Sequence, residues 1–177
     1  STLYSAILER YKNRLSETAL RSVDLFRHLD KTALKPLIEA SSIVGIPEGG
    51  IIVNEGETGD YFYIIIRGTA RVSHHLGDST INLALMHSGD YFGEWSVLTG
   101  APRAATVSAM NRVDTLRIER SVMLEFIQKQ PEVGERIDLV AHNRRESLSG
   151  SGLPDSPEQL ERLVKNIEEV IQKGMNE

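Results

Sequence analysis

The first forty residues alternate between apolar and polar positions with a helical period. Steps of three and four residues connect Leu3, Ile7, Leu8, Tyr11 and Leu15. This spacing is typical of the apolar stripe of an amphipathic helix. We expect Ser16 to cap a second helix and Thr32 to cap a third that ends near Ala40. The third helix would face a core through Leu34, Leu37 and Ile38.

Between residues 43 and 119 the spacing of apolar positions is no longer helical. Short runs rich in β-branched and aromatic residues occupy 43–46, 51–54, 61–67, 69–74, 81–86, 105–109 and 114–119. Turn signals, most of them containing glycine, separate these runs at 47–50, 56, 59–60, 68, 77–78, 89–90 and 100. Many short strands with glycine-rich turns are typical of an antiparallel barrel or sandwich. The pattern therefore predicts a β-rich unit between helical ends.

The helical period returns after residue 120. Ser121 is expected to cap a helix that carries Val122, Met123, Phe126 and Ile127, and Pro131 would begin a further helix to about residue 147. Residues 148–157, LSGSGLPDSP, have the composition of a flexible connector. A last apolar stripe comprises Leu160, Leu163, Val164, Ile167, Val170 and Ile171. A helix this short is marginal alone, so we expect it to dock on this domain or on another chain.

These patterns divide the chain into five parts and predict an α+β fold. Residues 1–42 form an N-terminal helical segment, 43–120 an antiparallel β-roll resembling a jelly-roll barrel, and 121–147 the closing helices. Residues 148–157 are a linker and 158–177 an amphipathic helix. The roll is thus flanked by N-terminal helices and by two or more C-terminal helices.

Composition limits the classes of partner. The formal charge of −5 argues mildly against a nucleic-acid partner, since phosphate backbones are bound mainly by Lys and Arg. No apolar run approaches the roughly 20 residues that span a bilayer, so we expect no membrane-spanning segment, although a membrane protein could carry this part in the cytosol. The sequence has no cysteine, which fits a cytoplasmic location and excludes thiolate metal ligands. Adjacent His74 and His75 would face opposite sides of a strand, so we expect no metal.

Residues 93–106, GEWSVLTGAPRAAT, carry the candidate chemistry. Gly93 lets the backbone approach a ligand closely, and the apolar residues 95–98 could form one helical turn. Arg103 offers a planar fork of donors that matches two phosphate oxygens. Glu94 is an acceptor-only carboxylate, suited to a sugar hydroxyl. One acid, one arginine and free amides together fit a ribose phosphate.

A purely structural interpretation of this segment stays open. Gly93 and Gly100 could simply form turns, and Glu94 could form an ion pair with Arg103. Small residues at Ala104 and Ala105 favour a ligand, because bulky side chains there would block its approach to the backbone. From the residues alone, the segment predicts a plausible pocket for a small anion.

The stretch FGEWSVLTGAPRAATV closely resembles the phosphate-binding cassette of cyclic-nucleotide-binding domains, whose pattern is FGE, a short apolar helix, then PRxAT. Upstream, GETGDYFY at 56–63 followed by Gly68 resembles the glycine-marked strand pair of the same family. The likeness covers roughly residues 23–145. It implies a domain that binds a cyclic nucleotide, catalyses nothing and passes the signal on through its helices.

The resemblance also implies roles for single residues. Arg103 would hold the exocyclic phosphate oxygens, assisted by the backbone N–H groups of Gly93 and Ala104, and Glu94 would accept a hydrogen bond from the ribose 2′-hydroxyl. Asp60 matches an acid that orients the arginine, or is a turn former only. Trp95 and Ala105 complete the binding loop, with Trp95 an anchor of the apolar turn rather than a stacking platform.

The base pocket is expected at Val72 and Ser96. Relatives that prefer cGMP often have threonine after the cassette arginine, so Ala104 favours cAMP, with cGMP as the alternative ligand. The stretch from Pro131 resembles the last helix of cyclic-nucleotide-gated channels, which places Arg144 against the base. In the alternative interpretation, Arg144 and Arg145 are a solvated cationic pair near a helix C-terminus, where positive charge is favourable.

Three alternatives to a cAMP-sensing regulatory domain remain. A transcription regulator of the catabolite-activator type would need a basic recognition helix, whereas the residues past 150 supply one acidic helix. A larger enzyme could carry this part as its regulatory domain. A roll without ligand could serve assembly alone, but Gly93, Glu94 and Arg103 argue against it. The expected partners are a cyclic nucleotide, an unidentified effector and a second copy bound through the flanking helices.

Overall fold

A computed structural model of the chain describes residues 2–150. The predicted amphipathic helix at 158–177 and most of the predicted linker lie outside the described residues. Five helices occur among the described residues: α1 (Thr2–Arg21), α2 (Lys31–Ala40), α3 (Glu94–Thr99), α4 (Arg120–Lys129) and α5 (Pro131–Gly150). Since α5 continues to Gly150, residues 148–150 are helical rather than part of a connector.

Eight strands lie between α2 and α4. They are β1 (Ser42–Ile46), β2 (Ile51–Val53), β3 (Tyr61–Arg67), β4 (Ala70–Leu76), β5 (Ser79–Met86), β6 (Tyr91–Phe92), β7 (Thr106–Ala109) and β8 (Val113–Glu119). One sheet has the order β1-β8-β3-β6 and the other β2-β7-β4-β5. All pairings are antiparallel. The α+β prediction of an antiparallel roll flanked by helices is confirmed, and the two-residue β6 is the strand that the pattern missed.

Three expected helix caps are wrong. Ser16 lies inside the continuous helix α1, fully buried, where its Oγ donates to the carbonyl of Lys12 at 2.9 Å. Asp30 caps α2 in place of Thr32, with its carboxylate accepting from the N–H of Ala33 at 2.8 Å. α4 begins at Arg120, one residue before Ser121. Its N-cap residue is Glu119, which forms no side-chain capping hydrogen bond.

Two apolar clusters hold the layers together. The larger lies between the helices and the first sheet and comprises, among others, Leu20, Phe26, Leu34, Leu37, Phe62, Ile118, Met123 and Ile137. The smaller lies inside the roll and comprises Val53, Tyr63, Ile65, Ala70, Phe92, Val107, Ala109 and Val113. β3 contributes to both, because alternate side chains of a strand point to opposite faces. The predicted core face of α2 is confirmed. The strand β3 therefore takes part in both cores.

Candidate functional site

The segment 93–106 lies between β6 and β7. Gly93 has φ +91°, a left-handed conformation that favours glycine, and α3 starts directly after it. The predicted helical turn is therefore present, and it extends over Glu94–Thr99. Gly100 ends α3 with its N–H donating to the carbonyl of Ser96 at 2.8 Å. A glycine at each end thus turns the chain so that Arg103 returns toward β3.

The backbone of Arg103 is fixed by the loop after β2. The N–H of Arg103 donates to the carbonyl of Glu57 at 2.8 Å, and the N–H of Gly56 donates to the carbonyl of Arg103 at 2.8 Å. Thr58 and Pro102 form an isolated antiparallel bridge beside them. The glycine-marked loop and the cassette arginine are consequently one structural unit.

The side chain of Arg103 is buried without a counter-ion. It is 7% exposed, and one guanidinium nitrogen, Nη2, donates to the carbonyl of Tyr61 at 2.8 Å. The other terminal nitrogen, Nη1, is buried and has no hydrogen-bond partner. Burial lowers the pKa of Arg103 from its usual value, because a desolvated cation is penalised. Glu94 and Asp60 oppose this effect through their charges. Buried charges in proteins are normally paired, and among the described residues no acid lies within ion-pair distance of this guanidinium.

Two glycines make room for the guanidinium. A Cβ at Gly59 would lie 2.3 Å from Cζ of Arg103, and a Cβ at Gly93 would lie 2.5 Å from its Nη1. Neither position could carry a larger side chain without displacing the arginine. The guanidinium thus lies in a cradle in which Gly59 and Gly93 present only backbone atoms to it.

Glu94 lies beside this cradle and pairs with the closing helix. Its carboxylate, in a residue 5% exposed, accepts from Nη1 of Arg144 at 2.7 Å. Arg144 also donates to the carbonyl of Tyr91 at 2.9 Å and lies 4.9 Å from the centre of its ring. Burial raises the pKa of Tyr91 to about 12. The alternative in which Glu94 pairs with Arg103 is therefore wrong, since Glu94 pairs with Arg144.

The remaining predicted residues lie around this centre. Asp60 is exposed, and among the described residues it lies beyond ion-pair distance of Arg103, on which its charge acts from farther away. Its carbonyl accepts from the N–H of Arg120 at 2.7 Å. Ala104 is exposed and Ala105 half-buried. These small residues leave the peptide backbone after Arg103 open to a ligand.

The predicted base-pocket residues occupy two elements. Val72 is half-buried on β4 opposite Val107, and Ser96 is buried within α3. Trp95 is half-buried with its ring edge-on to that of His142 at 6.2 Å, which supports its role as an anchor of α3. The structure brings Gly93, Glu94, Arg103 and Arg144 together, and it places Val72 on the second sheet.

Sequence reasoning gave no role to several residues that build the site. Gly59 provides the space for the guanidinium, the carbonyl of Tyr61 holds it, and Glu57 holds its backbone. The signal for Gly59 was present in the spacing of Gly56 and Gly59. Backbone acceptors such as the carbonyl of Tyr61 leave no signal in a sequence, because every residue has one.

No group of three His, Asp or Glu side chains among the described residues could hold a metal ion. None of the helices in the described part is long and apolar enough to cross a membrane.

Comparisons with known proteins agree with this geometry. Residues 43–130 match the family model for the cyclic nucleotide-binding domain. The chain is 36% identical over 113 residues to a cAMP-dependent protein kinase regulatory subunit of Dictyostelium discoideum, covering 62% of this chain and 35% of that protein. It is 33% identical over 124 residues to a cyclic nucleotide-gated potassium channel of Rhizobium etli, covering 70% of this chain and 34% of that protein.

A solved structure shows the same architecture. The regulatory domain of Toxoplasma gondii PKA crystallised with cAMP superposes with a TM-score of 0.60 at 29% identity, covering 64% of this chain and 44% of that chain. This chain thus spans only about a third of the two named relatives, the 35% and 34% given above. Residues 43–130, which contain the cassette built on Gly93 and Arg103, belong to the cyclic nucleotide-binding domain family.

Proposed function

We propose that this domain binds cAMP and reports the binding through α5. The observation that carries the proposal is the buried guanidinium of Arg103, whose Nη1 has no partner. A phosphate monoanion would supply the missing counter-charge and accept from the unpaired nitrogen. The cAMP bound to the Toxoplasma relative supports this choice of ligand.

The phosphate would lie between Arg103 and the backbone N–H groups of Gly93 and Ala104. Gly93 borders the guanidinium closely enough that a Cβ would meet Nη1. The exposed Ala104 leaves its own amide open to an anion. Charge-assisted hydrogen bonds of this kind are roughly twice as strong as neutral ones.

The ribose would reach Glu94. A 2′-hydroxyl donates one hydrogen bond. Arg144 binds Oε1 of Glu94, so Oε2 of the same carboxylate can accept from the ribose. The base would lie between Val72 and the side of the cassette, with Arg144 at its edge. Asp60 would act as a turn former or as a distant charge, since it forms no bond to Arg103.

The signal would pass through the ion pair between Glu94 and Arg144. The contacts that tie α5 to the cassette include this pair at 2.7 Å and the edge-on contact of Trp95 with His142. A ligand shifts the position of α5 only as far as it binds one arrangement more tightly than the other. Because Glu94 contacts both the ribose and Arg144 in this proposal, it couples ligand binding to the helix.

In this proposal the site binds a ligand and performs no reaction. Glu94, the acid nearest to the ligand, is engaged by Arg144 rather than placed to move a proton. The protein that contains the domain would be a regulator of the kinase, channel or transcriptional kind, with cytosolic placement of this part. The identities of the Dictyostelium and Rhizobium relatives favour the first two.

A calorimetric titration of the chain with cAMP tests the proposal. We expect one saturable site, and adenosine, which lacks the phosphate, should bind at least about tenfold more weakly, equivalent to about 1.4 kcal/mol. Equal affinity for adenosine and cAMP would show that the phosphate does not reach Arg103, and no heat with cAMP would overturn the function.

A change at Ala104 tests ligand preference. Ala104→Thr should raise the affinity for cGMP relative to cAMP, because the added hydroxyl can accept from or donate to the guanine edge. One net hydrogen bond is worth about 1 kcal/mol, so the ratio should change by about fivefold. Parallel titrations of both nucleotides measure it, and an unaltered ratio would place selectivity in α5 instead.

A further inference from the structure

The first half of α1 presents an apolar surface that nothing in the described part of the chain covers. This surface, the α1 stripe, comprises Leu3, Tyr4, Ile7, Leu8 and Tyr11, whose exposed fractions lie between 49% and 73%. The spacing of three and four residues places all five on one side of the helix. The buried residues of α1, in contrast, occur only at Ser16, Ala19 and Leu20.

A projecting helix of this kind needs a partner. Isolated helices shorter than about 12–15 residues are marginal in water, and the first half of α1 gains little from packing. Large contiguous apolar patches on a protein surface mark sites of interaction. The α1 stripe is therefore expected to be covered when the whole chain is present.

The border of the α1 stripe is cationic. Arg10 and Arg14 follow Ile7 and Tyr11 by three residues, and together with Lys31 and Lys35 of α2 they line one groove between the two helices. Glu17 and Glu39 are the acids in the same groove, and both are already within ion-pair distance of lysines of α2. A partner with acids along one edge of an apolar stripe would fit this surface.

The chain contains such a segment beyond α5. Residues 158–171 have four glutamates against one arginine and one lysine. Their apolar positions extend from Leu160 to Ile171, eleven residues apart, the same separation as Tyr4 and Leu15 in α1. On a helical projection at 100° per residue, Glu161 and Glu168 lie together along one edge of that apolar stripe.

We propose that residues 158–171 dock on the α1 stripe of the same chain, with Glu161 and Glu168 toward Arg10 and Arg14. The intervening residues 151–157 span up to about 25 Å when extended. A second copy of α1 fits less well, because pairing two such helices would bring Arg10 and Arg14 of each copy near the same cations of the other. This inference does not depend on nucleotide binding, and it gives the stripe an acidic, apolar partner.

Hydrogen exchange of the full chain tests the docking. Exchange of the amides of residues 2–15 should be slow in the parent protein. It should be about tenfold faster in the double variant Leu163→Asp with Ile167→Asp, which places two charges among the apolar positions of residues 158–171. The matched control is Asn166→Asp with Gln172→Asp, which adds the same charge away from those positions and should exchange like the parent. The molecular mass in solution is measured alongside.

The possible outcomes separate the occupants of the stripe. Loss of protection in the apolar double variant only, in a protein of monomer mass, supports the proposal. Equal protection in all three proteins overturns it, because residues 158–171 would then not cover the α1 stripe. Protection that disappears on dilution together with a dimer mass also overturns it, and assigns the stripe to a second copy. Titration with cAMP remains an independent test of the site, since neither variant alters the cassette.

Discussion

Replacing Arg103 by alanine should weaken the binding of cAMP by about 2–5 kcal/mol, a loss of affinity on the order of 30-fold to several thousand-fold. The guanidinium is the one buried cation that the proposed phosphate would pair with, and its Nη1 has no competing partner in the described structure. Calorimetry of the variant with cAMP measures the loss. An unchanged affinity would show that the phosphate site is assigned wrongly.

Two comparisons separate this loss from damage to the fold. Arg67→Ala removes a surface cation that pairs with Asp114, away from the cassette, and should leave the affinity for cAMP unchanged. The free energy of unfolding of Arg103→Ala without ligand should stay within about 1 kcal/mol of the parent, since the variant loses one hydrogen bond to Tyr61 and also an uncompensated buried charge. A large loss of stability would mean that Arg103 mainly supports the fold.

The second large effect is expected at a position that touches no ligand. In Gly59→Ala the new Cβ would overlap the guanidinium of Arg103, at 2.3 Å from its Cζ, so the side chain must leave its place. The affinity for cAMP should fall at least about tenfold, equivalent to about 1.4 kcal/mol, because the donor fork no longer faces the phosphate. Calorimetric titration with cAMP measures this loss.

Gly45→Ala is the matched control for Gly59→Ala. Its Cβ would lie 2.4 Å from Nη2 of Arg112, and the side chain of Arg112 is mainly exposed and can move aside. Both changes therefore displace an arginine, but only one of the two arginines belongs to the cassette. Equal affinity of both variants for cAMP would contradict the view that Gly59 positions Arg103.

The strands and the cassette were predictable because their signals are local. Alternating apolar residues and turn glycines placed β3 within its exact limits, Tyr61–Arg67, and most other strands within one or two residues. Gly93 needs a backbone conformation that only glycine adopts readily, so its role was visible in the sequence. The role predicted for Arg103 came from the resemblance to the phosphate-binding cassette, because the residues alone also allowed an ion pair with Glu94.

The partners of the charged groups were not predictable, because they depend on which distant segments meet. Glu94 pairs with Arg144, fifty residues later, rather than with the nearer Arg103. The backbone of Arg103 is held by Glu57, across a bridge formed by Thr58 and Pro102. Such contacts follow from the packing of the roll, and local propensity does not encode them.

The predictions of the helix caps were wrong for a related reason. Ser16 has the side chain of a good cap, but the burial of the neighbouring Ala19 and Leu20 favours one continuous helix. The amphipathic stripe of α1 was recognised correctly as a pattern, yet its side chains in the first half of the helix are exposed rather than packed in a core. An apolar period indicates that a face must be covered, and not which part of the molecule covers it.

A crystal structure of the chain with bound cAMP tests the central claim most directly. The predicted result is an exocyclic phosphate oxygen about 2.8 Å from Nη1 of Arg103, with the ribose 2′-hydroxyl donating to Glu94. A nucleotide bound elsewhere on the molecule, or one that leaves Nη1 of Arg103 without an anionic partner, would contradict the claim that this buried guanidinium is the phosphate receptor.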